Sequence, residues 1–232
     1  LIFKMKKKII VALDNNNLTK NLKIVSKIKN EVYAFKIGYE FFFSYGIEGY
    51  KKIKKLSPKI FLDLKLHDIP NTVANGIKAI ERLKPLFTTI HISGGDEMQK
   101  KSILNLKRKT KILGVSILTS LNSVQTKKYY KENNINKLVQ QFAKYAKANN
   151  LDGIVCSPLE IEIVRKEVGG KFLIVVPGIR PKNFNDQYDD QKRIFTPKKA
   201  IDLGADFLVI GRPITKSSNP LKTIQLINYT IN

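Results

Sequence analysis

A chain of 232 residues, 43% of them hydrophobic, is long enough for one large buried core. Its single cysteine, Cys156, excludes a disulfide framework and points to a reducing, cytoplasmic setting. The longest apolar runs, such as Ile9–Leu13 and Phe207–Ile210, are far too short to span a bilayer. The formal charge of +23 suits either a phosphate-bearing partner or a lysine-rich solvated surface. The basic residues recur along the chain, as at Lys51, Lys52, Lys54 and Lys55, then Lys107, Arg108, Lys109 and Lys111, then Lys198 and Lys199. They alternate with apolar residues at helical spacing, which favours the solvated surface. Lys6, Lys7 and Lys8 do not open a secretory signal, because only five apolar residues separate them from Asp14. Residues 1–7 read as a poorly ordered N-terminal extension.

Short runs rich in Ile, Val, Phe and Leu predict strands at about Lys8–Asp14, Tyr33–Ile37, Lys59–Lys65 and Phe87–Ile92. Four more are predicted at about Lys111–Leu118, Gly153–Cys156, Phe172–Val176 and Asp206–Ile210. Helical periodicity fills the gaps. Leu18, Leu22, Val25 and Ile28 form one apolar stripe; Leu138, Phe142, Tyr145 and Ala146 form another, with Asn136 as its candidate cap. Strand then helix, repeated eight times, implies parallel pairing and right-handed crossovers. The predicted architecture is a single-domain α/β chain, a (β/α)8 TIM barrel. A doubly wound open sheet is the alternative, but Ala12-Leu13-Asp14-Asn15-Asn16 is not the glycine-rich first turn it usually carries.

Barrel enzymes build their sites at the C-terminal ends of the strands. The polar residues there are Asp14, Lys36, Asp63 with Lys65 and Asp68, His91, Thr119, Gly178 to Arg180, and Gly211 with Arg212. Alternation along the third strand turns Leu62, Leu64 and Leu66 toward the helices, and Phe61, Asp63 and Lys65 toward the barrel axis. Charges on an inward face are costly without partners. A structural ion pair closing the barrel would meet that cost, but Lys36 and Asp68 near the same mouth favour a reaction centre. A lysine beside two aspartates is expected to stay protonated, a good proton donor and a good partner for a carbanion. At ~4 Å and an effective dielectric near 20, one such charge pair contributes about 4 kcal/mol. That is roughly a thousandfold in rate if it acts only in the transition state.

Glycines in Val176-Pro-Gly-Ile-Arg180 and Val209-Ile-Gly-Arg-Pro213 let the backbone approach an anion, and Arg180 and Arg212 add guanidinium donors. The loops after strands seven and eight are the usual phosphate site of this fold, which favours phosphate over plain strand termination. Pro181–Gln191, polar and aperiodic, reads as a lid or as a loop without a role. His67 and His91 form no metal triad and read as structural, hydrogen-bonded residues; Cys156 reads as a small core residue.

At these residues the chain resembles the orotidine 5′-phosphate decarboxylase family, particularly its short bacterial form, over nearly its whole length. The resemblance rests on Ala12-Leu-Asp14, Lys36-Ile-Gly38, Asp63-Leu-Lys-Leu-His-Asp-Ile-Pro-Asn-Thr72, His91-Ile-Ser-Gly-Gly95, Leu118-Thr-Ser120 and Leu151-Asp-Gly-Ile-Val-Cys-Ser157. Pro177-Gly-Ile-Arg180, Asp190-Gln191 with Thr196-Pro197, and Val209-Ile-Gly-Arg-Pro213 complete it. It implies decarboxylation of orotidine 5′-phosphate to uridine 5′-phosphate in pyrimidine biosynthesis, with no cofactor and no metal. Lys65 would protonate C6, Asp63 would sit beside the substrate carboxylate, and Lys36 and Asp68 would extend an alternating charge network. Asp14 and Lys36 would hold the ribose, Thr119 would contact the pyrimidine, and Arg180, Gln191, Gly211 and Arg212 would hold the phosphate. A homodimer is implied, with Asp68, Ile69 and Thr72 reaching the neighbouring site. Ile92 departs from the family pattern, being larger than expected after His91.

Related barrel enzymes are the alternatives: a 3-keto-hexulose-phosphate decarboxylase, a hexulose-phosphate synthase or a pentose-phosphate epimerase. The first two share the Asp-x-Lys-x-x-Asp strand end but need a magnesium site with further acidic ligands, where Lys36 would repel the cation. Nucleic-acid binding, suggested by the charge, lacks a zinc-finger spacing, an aromatic stacking motif or a basic arm. No membrane partner is implied.

Overall fold

The computed structural model describes residues 7–104, 106, 110–181 and 195–231. Its strands are β1 (Ile9–Ala12), β2 (Ala34–Ile37), β3 (Ile60–Leu66), β4 (Phe87–His91), β5 (Lys111–Val115), β6 (Gly153–Val155), β7 (Leu173–Val176) and β8 (Phe207–Ile210). Each lies within its predicted run, except that β3 continues one residue further, to Leu66. Neighbours in sequence pair in parallel, and β8 returns to β1 with Ile9 opposite Leu208, so the barrel is closed.

The helices are α1 (Leu18–Ile28), α2 (Tyr39–Leu56), α3 (Pro70–Arg82), α4 (Gly95–Ile103), α5 (Ser123–Tyr130), α6 (Ile135–Ala148), α7 (Ile161–Val168), α8 (Pro197–Asp202), α9 (Arg212–Thr215) and α10 (Pro220–Ile231). Among the described residues the count exceeds eight because α5 precedes α6 between β5 and β6, and α9 precedes α10 after β8. Lys131, left-handed at φ 60°, ends α5, and Asn134 starts α6 by accepting the N–H of Lys137 at 3.1 Å. The cap of α6 is therefore Asn134, not Asn136, which lies inside the helix. Its buried face is Leu138, Val139, Phe142, Ala143 and Ala146. Tyr145 stands at the edge of that stripe and is exposed.

Two apolar layers hold the barrel. Inside it lie Ile10, Ala12, Ala34, Phe61, Phe87, Leu113, Val175 and Val209. Tyr33 and Phe207, stacked at 4.2 Å, fill the end where the strands begin. Outside, residues such as Val11, Ile37, Leu62, Ile90 and Ile210 pack against the helices. This inside–outside alternation is the period of two read from the sequence. Asp152 and Asp206, just before β6 and β8, accept the N–H groups of Ile112 and Ile174 at 2.9 and 2.8 Å. They satisfy donors at the strand starts that would otherwise lack partners.

Lys7 is tied to the carbonyl of Asn30; the rest of the expected extension, residues 1–6, lies outside the described residues. Ile92 is fully packed because Gly114 on β5 has no Cβ, which would come within 2.6 Å of Ile92 Cγ1. A Cβ on Gly153 would meet the Leu173 carbonyl oxygen at 2.5 Å, a backbone atom that cannot swing away. Gly153→Ala is therefore expected to destabilise the barrel by about 1–3 kcal/mol, as overpacked cores do, read as a lower urea midpoint at unchanged slope.

Candidate active site

Strand register builds the site. Lys36 lies opposite Ala12 on β1 and opposite Phe61 on β3. Asp14 and Asp63 each stand two residues further along those neighbours, on the same inward parity. A lysine is thus flanked by two carboxylates where the strands end. Lys36 Nζ lies 3.0 Å from Asp14 Oδ1 and 3.5 Å from Asp63 Oδ2. Lys65 Nζ reaches the same Asp63 Oδ2 at 2.8 Å. The result is a line of alternating charge, Asp14–Lys36–Asp63–Lys65, at the mouth of the barrel.

The line is graded in burial. The Asp14 side chain is 54% exposed, whereas those of Lys36 and Asp63 are only 11% and 9% exposed. Burial works against charge at Asp63, but Lys36, Lys65 and hydrogen bonds outweigh it and hold the carboxyl below its ordinary range. Burial likewise opposes charge on Lys36, and Asp63 with Asp14 outweighs it, so its ammonium titrates above the usual lysine value.

The sequence placed Asp68 with Lys36, Asp63 and Lys65. Within one chain it stands apart: its carboxylate accepts the N–H of Ile69 at 2.6 Å and, among the described residues, pairs with no cation. Within one chain Asp14 is the fourth member of the line. The cause is the end of β3, after which His67, Asp68 and Ile69 turn outward into solvent. Ile69 is 67% exposed, and Thr72 is exposed in the first turn of α3.

Three features were not assigned from sequence. Thr89 on β4 is fully buried, and its hydroxyl donates to Asp63 Oδ1 at 2.9 Å. Its parity with His91 was the available signal. Gly38 leaves room for the line, since a Cβ there would stand 3.2 Å from Lys36 Nζ and 3.3 Å from Asp14 Oδ1. Tyr39 donates its hydroxyl to the Leu64 carbonyl at 3.0 Å and sets its ring 5.8 Å from Lys65 Nζ.

At the other side of the mouth, Gly178 has φ 76°, which a side chain would resist. Arg180 is buried; its backbone N–H donates to the Phe195 carbonyl at 3.1 Å and its guanidinium to the Ile179 carbonyl at 3.2 Å. Gly211 leads into Arg212 at the start of α9 and lies against β1, where a Cβ would approach Ala12 at 3.4 Å and Asp14 Oδ2 at 4.0 Å. The end of β8 thus adjoins the charged line. Thr119 is exposed in the turn after β5. Gln191, and the expected lid beyond Pro181, lie outside the described residues.

His67 and His91 differ from expectation. Among the described residues neither ring forms a hydrogen bond; they pack on each other at 5.1 Å. Cys156 is buried, as expected of a core residue. Among the described residues, no group of three or more His, Cys, Asp or Glu side chains is placed to hold a metal ion, and no helix is long and apolar enough to cross a membrane.

A closed (β/α)8 barrel whose charged side chains gather at the C-terminal strand ends has the architecture of a barrel enzyme. The family described as Orotidine 5'-phosphate decarboxylase / HUMPS matches residues 7–227, and the chain belongs to that family. An orotidine 5'-phosphate decarboxylase of Wolbachia pipientis subsp. Culex pipiens is 44% identical over 220 residues, 94% of this chain and 96% of the relative. One from Ehrlichia canis is 42% identical over 225 residues, 97% of each chain. The crystal structure of orotidine 5'-phosphate decarboxylase from Lactobacillus acidophilus superposes with a TM-score of 0.83 at 38% identity, covering 98% of this chain and 100% of that one.

Burial, with help from His67 and Lys65 and against Asp63, depresses His91 from 6.5 to about 4. The folded state therefore binds fewer protons than the unfolded state between those values, and stability rises with pH across that window. Wild-type protein is expected to lose stability as pH falls from 6.5 toward 4, and His91→Gln to lose less. Urea melts across that range test this; equal slopes against pH would contradict it.

Proposed function

We propose that the chain decarboxylates orotidine 5′-phosphate to uridine 5′-phosphate in the cytoplasm, in de novo pyrimidine biosynthesis and without a cofactor. The observation that carries this reading is the Asp14–Lys36–Asp63–Lys65 line at the mouth of a barrel of this family. The C6–carboxylate bond breaks, carbon dioxide leaves, and its electron pair stays on C6. The Lys65 ammonium, already poised on Asp63, stabilises that charge and then transfers its proton to C6; water restores the proton to the lysine. Asp63 lies beside the departing carboxylate and orients Lys65. Lys36, fixed between two carboxylates, keeps Asp63 ionised and with Asp14 holds the ribose hydroxyls. Thr119 contacts the pyrimidine. Arg180, Gln191, Gly211 and Arg212 hold the phosphate, and that remote binding supports the chemical step.

Loss of orotidine 5′-phosphate absorbance, followed with purified protein in chelator, tests the reaction. Lys65→Ala is expected to lower kcat by roughly a thousandfold or more, from the charge stabilisation it forfeits. Arg212→Ala is expected to raise KM strongly. Near-native kcat in Lys65→Ala would remove the proton-donor role. Turnover only of a sugar phosphate, and only with magnesium, would replace the substrate.

The site is completed by a second copy of the chain. Asp68, Ile69 and Thr72 form an exposed strip just past β3, and among the described residues Asp68 pairs with no cation. Tyr39 and Phe43, exposed one turn apart on α2 before the kink at Gly46, add apolar area to a dimer face. Lys65→Ala and Asp68→Ala proteins, each inactive alone, are then expected to regain up to about a quarter of wild-type activity when mixed and allowed to exchange subunits, because half of randomly formed dimers carry one intact site of two. Mixing that restores nothing, although subunits exchange, would place Asp68 in its own chain's site.

A further inference from the structure

We propose that Thr89 is a positioning residue for Lys65, an inference that rests on the function proposed above. Its one hydroxyl is used in both directions. It accepts the backbone N–H of Lys65 at 2.9 Å and donates to Asp63 Oδ1 at 2.9 Å. A single side chain with no exposure thus ties down the backbone that carries the ammonium and the carboxylate on which that ammonium rests.

The backbone at Lys65 needs such a tie. Its φ is 41°, in the left-handed region that residues with a Cβ avoid. The β3–β4 register shifts between Leu62 and Leu66, so the regular ladder is interrupted where Lys65 stands. The Thr89 hydroxyl supplies the acceptor that the ladder does not. Asp63 is fixed from both sides as a result: Oδ1 receives Thr89, and Oδ2 receives Lys65 at 2.8 Å and Lys36 at 3.5 Å. The carboxylate cannot rotate without breaking one of these contacts. Thr88 next to it provides the contrast, since its buried hydroxyl has no hydrogen-bond partner among the described residues.

The test compares wild type with Thr89→Val, Thr89→Ser and Thr88→Val by kcat, KM and pH profile for orotidine 5′-phosphate. Thr89→Val keeps the shape and loses the hydroxyl. It is expected to lower kcat about 10- to 100-fold, the loss typical of a hydrogen bond to a charged group, with KM within about threefold. The acid limb of its kcat/KM profile is expected to move to higher pH, because Asp63 loses a donor. Thr89→Ser is expected to stay within about threefold of wild type, and Thr88→Val to keep full activity. Should Thr89→Val not fold, Thr89→Cys, which offers only a weak donor and acceptor, is read by the same outcomes. Wild-type kcat in the hydroxyl-free variant, or an equal loss in Thr89→Ser, would overturn the positioning role alone. A folded wild type that does not turn over the substrate would overturn the proposed function, and this inference with it.

Discussion

The site depends on one carboxylate held between two ammonium groups. Leaving Asp63 buried and unpaired would cost several kcal/mol, a large share of a domain's net stability. Lys36 and Lys65 on Oδ2 and Thr89 on Oδ1 offset that cost. These partners come from three strands, β2, β3 and β4. The carboxylate can therefore be ionised and buried only when those strands pair in the observed register. A slip of one residue would turn Asp63 toward the helices and an apolar side chain into the mouth. The chemistry and the barrel are selected together, because the same pairing that closes the sheet neutralises the charge.

Lys65 shows what that arrangement costs locally. A lysine with φ 41° is disfavoured by about 1–2 kcal/mol relative to extended backbone. Regular β3 geometry carried through Lys65 would keep the ladder and forgo this particular direction of the side chain. The register shift between Leu62 and Leu66 releases the strand from its ladder and lets the ammonium return to Asp63 across two residues. Strain at a strand end beside polar side chains is the kind of defect that survives only where its neighbours fix it, and Thr89, fully buried, does that here.

Much of this was legible in the sequence. Alternation alone turned Phe61, Asp63 and Lys65 inward and Leu62 outward, and strand ends alone brought Lys36 and Asp14 to the same mouth. What alternation cannot show is a change of conformation within a strand. Lys65 carries none of the glycine or asparagine that signals a left-handed residue, so the bulge was invisible. Thr89 was missed for another reason: a threonine is an ordinary strand residue, and its hydroxyl gains meaning only once Asp63 on the next strand is known to face it. Asn134 was passed over as a cap for Asn136 because both precede the same apolar stripe, and only backbone geometry separates them. Asp68 was grouped with Asp63 and also read as reaching a neighbouring subunit's site; within one chain the outward turn after Leu66 carries it into solvent.

Charge in the site divides into two parts. Asp14, Lys36, Asp63 and Lys65 sum to zero, so the line orients a substrate without attracting an anion strongly. Attraction must come from elsewhere, and on the proposed reading it comes from Arg180 and Arg212, which follow β7 and β8. β8 pairs with β1, which places Gly211 next to Asp14. On the proposed reading, phosphate at one side of the mouth and the reacting carbon at the other are joined through this contact. A neutral reaction line also explains why the wider charge of +23 need not enter the chemistry. Its lysines recur along the chain as a solvated surface, whose field salt would screen while leaving the buried line nearly untouched.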